Sequence, residues 1–163
     1  MKRFERVIVG ICSIGVGLAF LALIGAVLTQ VLGRTFGSSP VWTEELTRYA
    51  MLFMVAFGAG LSFRSGDLVN VDVVCEALPG QWPRRLRLLA ALTTFGLCAF
   101  LVPAAWKYVS IGKLQTSPAL GVRMDYIHFS VLALLVVLAV FAGARVVAML
   151  FGDDAGQPLN RMD

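Results

Sequence analysis

The chain is built from four long apolar stretches, each bounded by charged or turn-forming residues. Residues 7–33, 49–63, 88–106 and 126–144 contain no Asp, Glu, Lys or Arg. Because about 20 apolar residues span the hydrocarbon of a bilayer as a helix, the second stretch must borrow length from residues 40–48. We predict an all-α membrane protein that forms one domain over residues 1–163, with transmembrane helices at about 7–33, 41–64, 84–107 and 125–149.

The segment between the second and third stretches has a mixed pattern. Three valines alternate with polar residues from Val69 to Val73, as in a strand. A lone strand at a membrane edge would leave its backbone unpaired, however. As a helix, the same segment places Asp72 and Glu76 on one face and apolar residues on another. We predict a short amphipathic helix over residues 70–78 on the membrane surface, and a polar tail over residues 152–163.

A proline interrupts the third stretch close to its end. Pro103 lacks a backbone N–H, so we expect it to kink or end the regular helix. Residues 107–125 are then predicted to be a loop, with a turn at Ser117 and Pro118.

Composition supports the assignment to a membrane. Hydrophobic residues make up 58% of the chain and the mean hydropathy is +0.81, whereas soluble domains are about 45–50% apolar. The net charge is +4, but no basic stripe with interleaved aromatic residues occurs outside the apolar stretches. We therefore expect membrane lipids, and no nucleic acid, among its partners.

The basic residues are unevenly divided between the two sides that four spans create. With a cytoplasmic N-terminus, nine lie inside and five outside, which favours cytoplasmic N- and C-termini. The inside group is Lys2, Arg3, Arg6, Arg64, Arg84, Arg85, Arg87, Arg145 and Arg161. The outside group is Arg34, Arg48, Lys107, Lys113 and Arg123.

The apolar stretches lack the side chains that usually carry ions, protons or electrons across a membrane. Intramembrane charges normally mark such pathways, and none is present here. His128 is the single histidine, which excludes bis-histidine haem ligation within one chain. The three cysteines have neither metal-binding nor disulfide spacing. We predict no cofactor, no metal and no enzymatic activity, and we favour an interfacial or packed His128 over a proton relay.

Charged residues cluster where the second span begins. Glu44 and Glu45 lie near the positive end of the helix dipole, and Glu44 and Arg48 have the spacing of an ion pair. The two adjacent carboxylates point in different directions on a helix, so they are a poor acid–base pair. Two roles stay open, which are stabilisation of the helix start and docking to the polar edge of a partner.

The same region resembles a known family. Arg34, the turn at residues 39–40, W-x-E-E-x-x-R-Y at residues 42–49, G-A-G-L-x-x-R-x-G at residues 58–66 and V-D at residues 71–72 occur in this order. This order resembles the first loop and second helix of the small membrane subunit of TRAP transporters, the DctQ-like family. Residues 117–126, SPALGVRMDY, resemble the third loop of the same subunits. The chain departs from the pattern at Asp67 and Leu68, where the family has a polar residue such as His.

The resemblance implies a scaffold subunit in a bacterial inner membrane. Its partners would be a large permease subunit, which carries the solute together with sodium, and an extracytoplasmic solute-binding protein. The substrates would be organic acids such as C4-dicarboxylates or sialic acids. The candidate interface with the partner subunit or lipid is Arg34, Trp42, Glu44, Glu45, Arg48, Tyr49 and Asp72.

Two other classes of protein have four spans. A stand-alone small exporter would need a membrane-embedded acidic residue for proton coupling, and the spans have none. A membrane anchor of a redox complex is disfavoured by the single histidine.

Overall fold

A computed structural model describes residues 2–38, 40–65 and 82–151, with the side chains of residues 2–5 left out of the description. The described residues form four long helices, α1 (Lys2–Thr35), α2 (Trp42–Ser65), α3 (Trp82–Gly112) and α4 (Met124–Phe151). All four are long and apolar enough to cross a membrane. The prediction of an all-α protein with four membrane-spanning helices is confirmed. The predicted surface helix at residues 70–78 and the tail at residues 152–163 lie outside the described residues.

The four helices lie in a row in the order α1, α2, α4, α3. Helix α1 packs on α2, α2 on α4, and α4 on α3, and the backbones of no other pair of these described helices approach each other closely. Helices α1 and α2 form one antiparallel hairpin, and α3 and α4 form a second. The two hairpins meet where α2 and α4 run parallel, because each helix of this pair begins at the same end of the row.

Small residues allow the helices to approach closely, as is usual where lipid supplies no hydrophobic drive for association. A Cβ atom at Gly15 of α1 would lie 2.7 Å from the ring of Phe57 on α2. Gly60 of α2 lies directly against Val137 of α4. The buried core cluster draws on three helices and consists of Cys12, Phe63, Phe141 and Ala142.

Glycine also ends the first helix. Gly37 has a φ of +77°, which is unfavourable for residues with a Cβ atom. The N–H of Ser38 donates to the carbonyl of Gly33 at 2.8 Å, and that of Gly37 donates to Arg34 at 3.2 Å. This pair of bonds is a Schellman motif, which satisfies the last carbonyls of α1 and turns the chain towards α2.

The third helix is longer than the sequence predicts. Pro103 lies inside α3, which continues to Gly112, so the prediction of a loop beginning at residue 107 is wrong. Pro103 costs the helix one N–H hydrogen bond, and contacts that hold the last turns in place offset this loss. The hydroxyl of Ser110 donates to the carbonyl of Trp106 at 2.8 Å, and Gly112 packs against the start of α4. The loop between α3 and α4 spans residues 113–123.

Candidate partner interface

The carboxylate of Glu45 joins the start of α2 to the loop between α3 and α4. Its Oε2 atom accepts a hydrogen bond from the hydroxyl of Ser117, and further bonds from the N–H groups of Ala119 at 3.3 Å and Leu120 at 3.2 Å. Hydrogen bonds to an ionised acceptor are stronger than those between neutral groups. Three donors on one oxygen therefore fix the position of the loop relative to α2.

The loop is shaped to present these donors together. The N–H of Ser117 donates to the carbonyl of Val122 at 2.8 Å, and the N–H of Gly121 donates back to the carbonyl of Ser117 at 3.0 Å. Gly121 takes a φ of +64°, which closes this tight turn. Successive N–H groups in such a turn form a concave site for an anion. Here the anion is the side chain of Glu45, from the neighbouring hairpin.

A second link lies one turn further along α2. The hydroxyl of Tyr49 donates to the sulfur of Met124, the first residue of α4, at 3.7 Å. Thr43, on the preceding turn, is fully buried, and its hydroxyl donates to the carbonyl of Pro40 at 2.7 Å. The first two turns of α2 are thus held both to the chain that precedes them and to the second hairpin.

The remaining residues of the predicted interface are placed differently. Arg34, Glu44 and Arg48 are exposed, and Trp42 is 40% exposed. Glu44 and Arg48 form no ion pair with each other in the described structure, so the predicted pairing is not observed. Exposed pairs of this kind are worth only about 0.2–1 kcal/mol, which is little reason to form one. Asp72 lies outside the described residues.

Sequence reasoning missed the part that Ser117 plays. The residue is 2% exposed although it lies in a loop. The resemblance at residues 117–126 marked this stretch, but nothing in its spacing indicated that Glu45 is its partner. The two stretches that carry the resemblance are in direct contact through Glu45 and Ser117.

The other side of the same loop is held by packing between α3 and α4. His128 is buried, and its ring stacks on that of Tyr108 with centroids 3.8 Å apart. Its Nδ1 lies 3.1 Å from the carbonyl of Tyr108, and because a carbonyl can only accept, Nδ1 carries the hydrogen. Asp125 pairs with Arg123 at 2.7 Å. Of the two predicted roles, interfacial or packed, the described structure shows a packed histidine.

Large apolar surfaces remain uncovered along the outer helices. In α1, Ile14 and Leu21 are 66% and 65% exposed, and Phe100 of α3 is 81% exposed. These apolar faces can contact lipid or another protein. In the described part of the chain, no group of three or more His, Cys, Asp or Glu side chains could hold a metal ion.

We expect Glu45→Ala to loosen the loop between α3 and α4, because three donors lose their acceptor. Hydrogen exchange, measured by mass spectrometry on the purified protein, should be faster in the peptide that contains Ala119 and Leu120. Glu44→Ala is the matched control, since it removes the same charge from the adjacent, exposed position. Equal exchange in this peptide for both variants and the wild type would contradict the role assigned to Glu45.

Comparisons with known proteins agree with the geometry. The model of the family described as tripartite ATP-independent periplasmic transporters, DctQ component, matches residues 23–152. Two Haemophilus influenzae proteins named as TRAP transporter small permease proteins are similar to this chain. One is 25% identical over 114 residues, which are 69% of each chain. The other is 26% identical over 125 residues, which are 76% of this chain and 77% of the relative.

A third similarity covers less of the chain. The sialic acid TRAP transporter permease protein SiaT of Haemophilus influenzae is 27% identical over 86 residues, which are 52% of this chain but 14% of SiaT. The family match covers most of the chain, including α2, the Glu45 contact and the loop between α3 and α4. The protein therefore belongs to the DctQ family and is a small, multi-pass membrane subunit of a TRAP transporter.

Proposed function

We propose that this chain is the scaffold subunit of a transporter that takes up organic acids, such as C4-dicarboxylates or sialic acids, at a bacterial inner membrane. It acts with a large permease subunit that carries the solute together with sodium, and with an extracytoplasmic solute-binding protein. The observation that carries the proposal is the absence of Asp, Glu, Lys and Arg from residues 7–33, 49–63, 88–106 and 126–144. A charged solute crossing through this chain would meet no charged side chain there.

The similarity to SiaT supports a large partner. The 86 matched residues are only 14% of SiaT, so that permease protein is several times longer than this chain. A segment that resembles the small subunit, within a much longer permease protein, is expected if the small and large parts function in direct contact.

Two surfaces are available to the large subunit. The apolar faces of α1 and α3 are uncovered within the described structure and would pack against helices of the partner. Arg34, Trp42, Glu44 and Arg48 are exposed at one end of the row and would contact polar groups of the partner or lipid headgroups. Glu45 and Tyr49 act indirectly, since they hold the loop between α3 and α4 in the position at which a partner meets it.

We expect uptake to require both membrane subunits. Liposomes that contain this chain, the large subunit encoded with it and a sodium gradient should accumulate solute when the matched binding protein is added. Liposomes with either membrane subunit alone should show only background uptake. Uptake by this chain alone, or full uptake by the large subunit alone, would contradict the proposal.

The proposed orientation places both termini in the cytoplasm. A single cysteine at Leu114, which is 88% exposed in the loop between α3 and α4, should react with an impermeant maleimide in spheroplasts. One at Phe151, which is 87% exposed at the end of α4, should react only after lysis. Both belong in a background without Cys12, Cys75 and Cys98, and the reverse pattern of labelling would show the opposite orientation.

A further inference from the structure

We propose that the start of α3 binds the headgroup of an anionic phospholipid, with Arg85 and Trp82 as its main contacts and Arg84 beside them. The acyl chain lies along the outer face of the same helix. The inference requires only that the protein spans a bilayer. It does not depend on the proposed transport function or on the proposed orientation.

The described side chains at the two ends of the helix row differ in charge. One end, at which α1 and α3 begin and α2 and α4 end, is called here the arginine end. Its described side chains include six arginines: Arg6, Arg64, Arg84, Arg85, Arg87 and Arg145. The described carboxylates, Glu44, Glu45 and Asp125, lie at the opposite end, where they are accompanied by the basic residues Arg34, Arg48, Lys107, Lys113 and Arg123. The described part of the arginine end is therefore suited to an anion, and guanidinium groups match phosphate geometry especially well.

Arg85 is the arginine best placed to meet a ligand from the bilayer. It is exposed, and its guanidinium carbon lies 5.9 Å from the ring centroid of Trp82, which is itself 56% exposed. Tryptophan prefers the level of the headgroups. The pair thus presents a cation and an interfacial aromatic side chain together, at the depth where a phospholipid carries its phosphate.

Arg84 gives the site a fixed base. One guanidinium nitrogen donates to the carbonyl of Met149 in the last turn of α4, at 2.9 Å. The carbonyls in the last turn of a helix have no partner within that helix, so this bond holds the beginning of α3 against the end of α4. Arginine has five N–H donors in all, and the others can serve a phosphate.

An apolar track leads away from Arg85 towards the bilayer centre. Leu89, Leu92, Gly96 and Phe100 follow at helical spacing and share one face of α3, which is exposed along its length. No atom of another described helix lies within 4 Å of the position that a Cβ would take at Gly96. The glycine leaves a shallow notch between Leu92 and Phe100 that an acyl chain can fill. A free phosphate ion would gain nothing from contact with these apolar side chains, so the track favours a lipid as the ligand.

Native mass spectrometry of the full chain, with phosphatidylglycerol and phosphatidylcholine in equal amounts, tests the proposal. The wild type should retain phosphatidylglycerol preferentially. Arg85→Gln should lower that preference about fivefold, as expected for one arginine at a membrane surface. Lys107→Gln is the matched control, since it removes one exposed positive charge from the other end of the same helix, and it should leave the preference unchanged.

Two further measurements distinguish a specific lipid site from non-specific electrostatic attraction and from a site for free phosphate. Gly96→Leu fills the notch and should weaken retention of lipid while the charge at Arg85 is kept. Inorganic phosphate should not displace the lipid. Equal retention of both lipids, an equal effect of Lys107→Gln, or displacement by inorganic phosphate would overturn the proposal. Thermal unfolding of each variant shows that it is folded when lipid binding is compared.

Discussion

Gly112→Ala should strongly destabilise the folded protein, although it adds a single methyl group. A Cβ at this position would lie 2.6 Å from Nδ1 of His128, and 2.8 Å and 2.9 Å from the backbone N and Cα of Asp125. The backbone of α4 cannot move aside as a flexible side chain could, so α3 and α4 would have to separate where they meet. Overpacked sites typically lower the free energy of unfolding by about 1–3 kcal/mol. We expect a decrease at or above the upper end of this range, measured by unfolding in detergent.

The same helix supplies the control for this substitution. Gly96 also lies inside α3, but no other described helix comes within 4 Å of the position of its Cβ. Gly96→Ala should be neutral or stabilise the helix by up to about 1 kcal/mol, because alanine is the better helix former. If both alanine variants unfold like the wild type, the close contact between Gly112 and α4 is not present in the protein.

Gly60→Ala should weaken the contact between the two hairpins. The added Cβ would collide with Val137 and would lie 3.1 Å and 3.2 Å from two ring atoms of Phe141. Val137 has little freedom to yield, since the ring of Phe141 is packed beside it in the buried core. We expect the free energy of unfolding to fall by about 1–3 kcal/mol. A reporter group on α2 should also become more accessible to probes dissolved in the lipid phase.

Gly58 provides the comparison on the same helix. A Cβ there would meet only a methyl group of Val16 at 3.9 Å, which is an ordinary van der Waals distance. Gly58→Ala should therefore leave stability nearly unchanged. A similar loss for both variants would indicate that α2 is sensitive to any added methyl group, rather than to the contact with α4.

The four spans could be predicted because the bilayer imposes a simple demand on them. Each must be long and free of charge, and the stretches at residues 7–33, 49–63, 88–106 and 126–144 meet this demand directly. The family could be identified from the words around Trp42 and Tyr49, and the match to the DctQ model confirms it. The end of α3 does not follow from the sequence, because contacts with α4 override the local effect of Pro103.

The pairing of the helices could not be predicted from the same pattern. Faces that meet lipid and faces that meet another helix are both apolar, so hydrophobicity does not distinguish them. Gly60 and Gly96 look alike in the sequence, yet one is pressed against α4 and the other faces open space. Which of the adjacent carboxylates, Glu44 or Glu45, contacts the loop between α3 and α4 likewise depends on the position of Ser117. The fold brings this residue from a distant part of the chain.

The row order has a consequence for how the protein is made. Of the four described helices, a ribosome delivers α4 last, yet α4 lies between α2 and α3 and is the neighbour of both. Until it emerges, the Gly60 face of α2 and the Gly112 end of α3 lack the helix that covers them in the described structure. Among the four described helices, an inner helix is thus inserted after both edge helices. A nascent chain that stalls before residue 124 holds one completed hairpin and a solitary third helix.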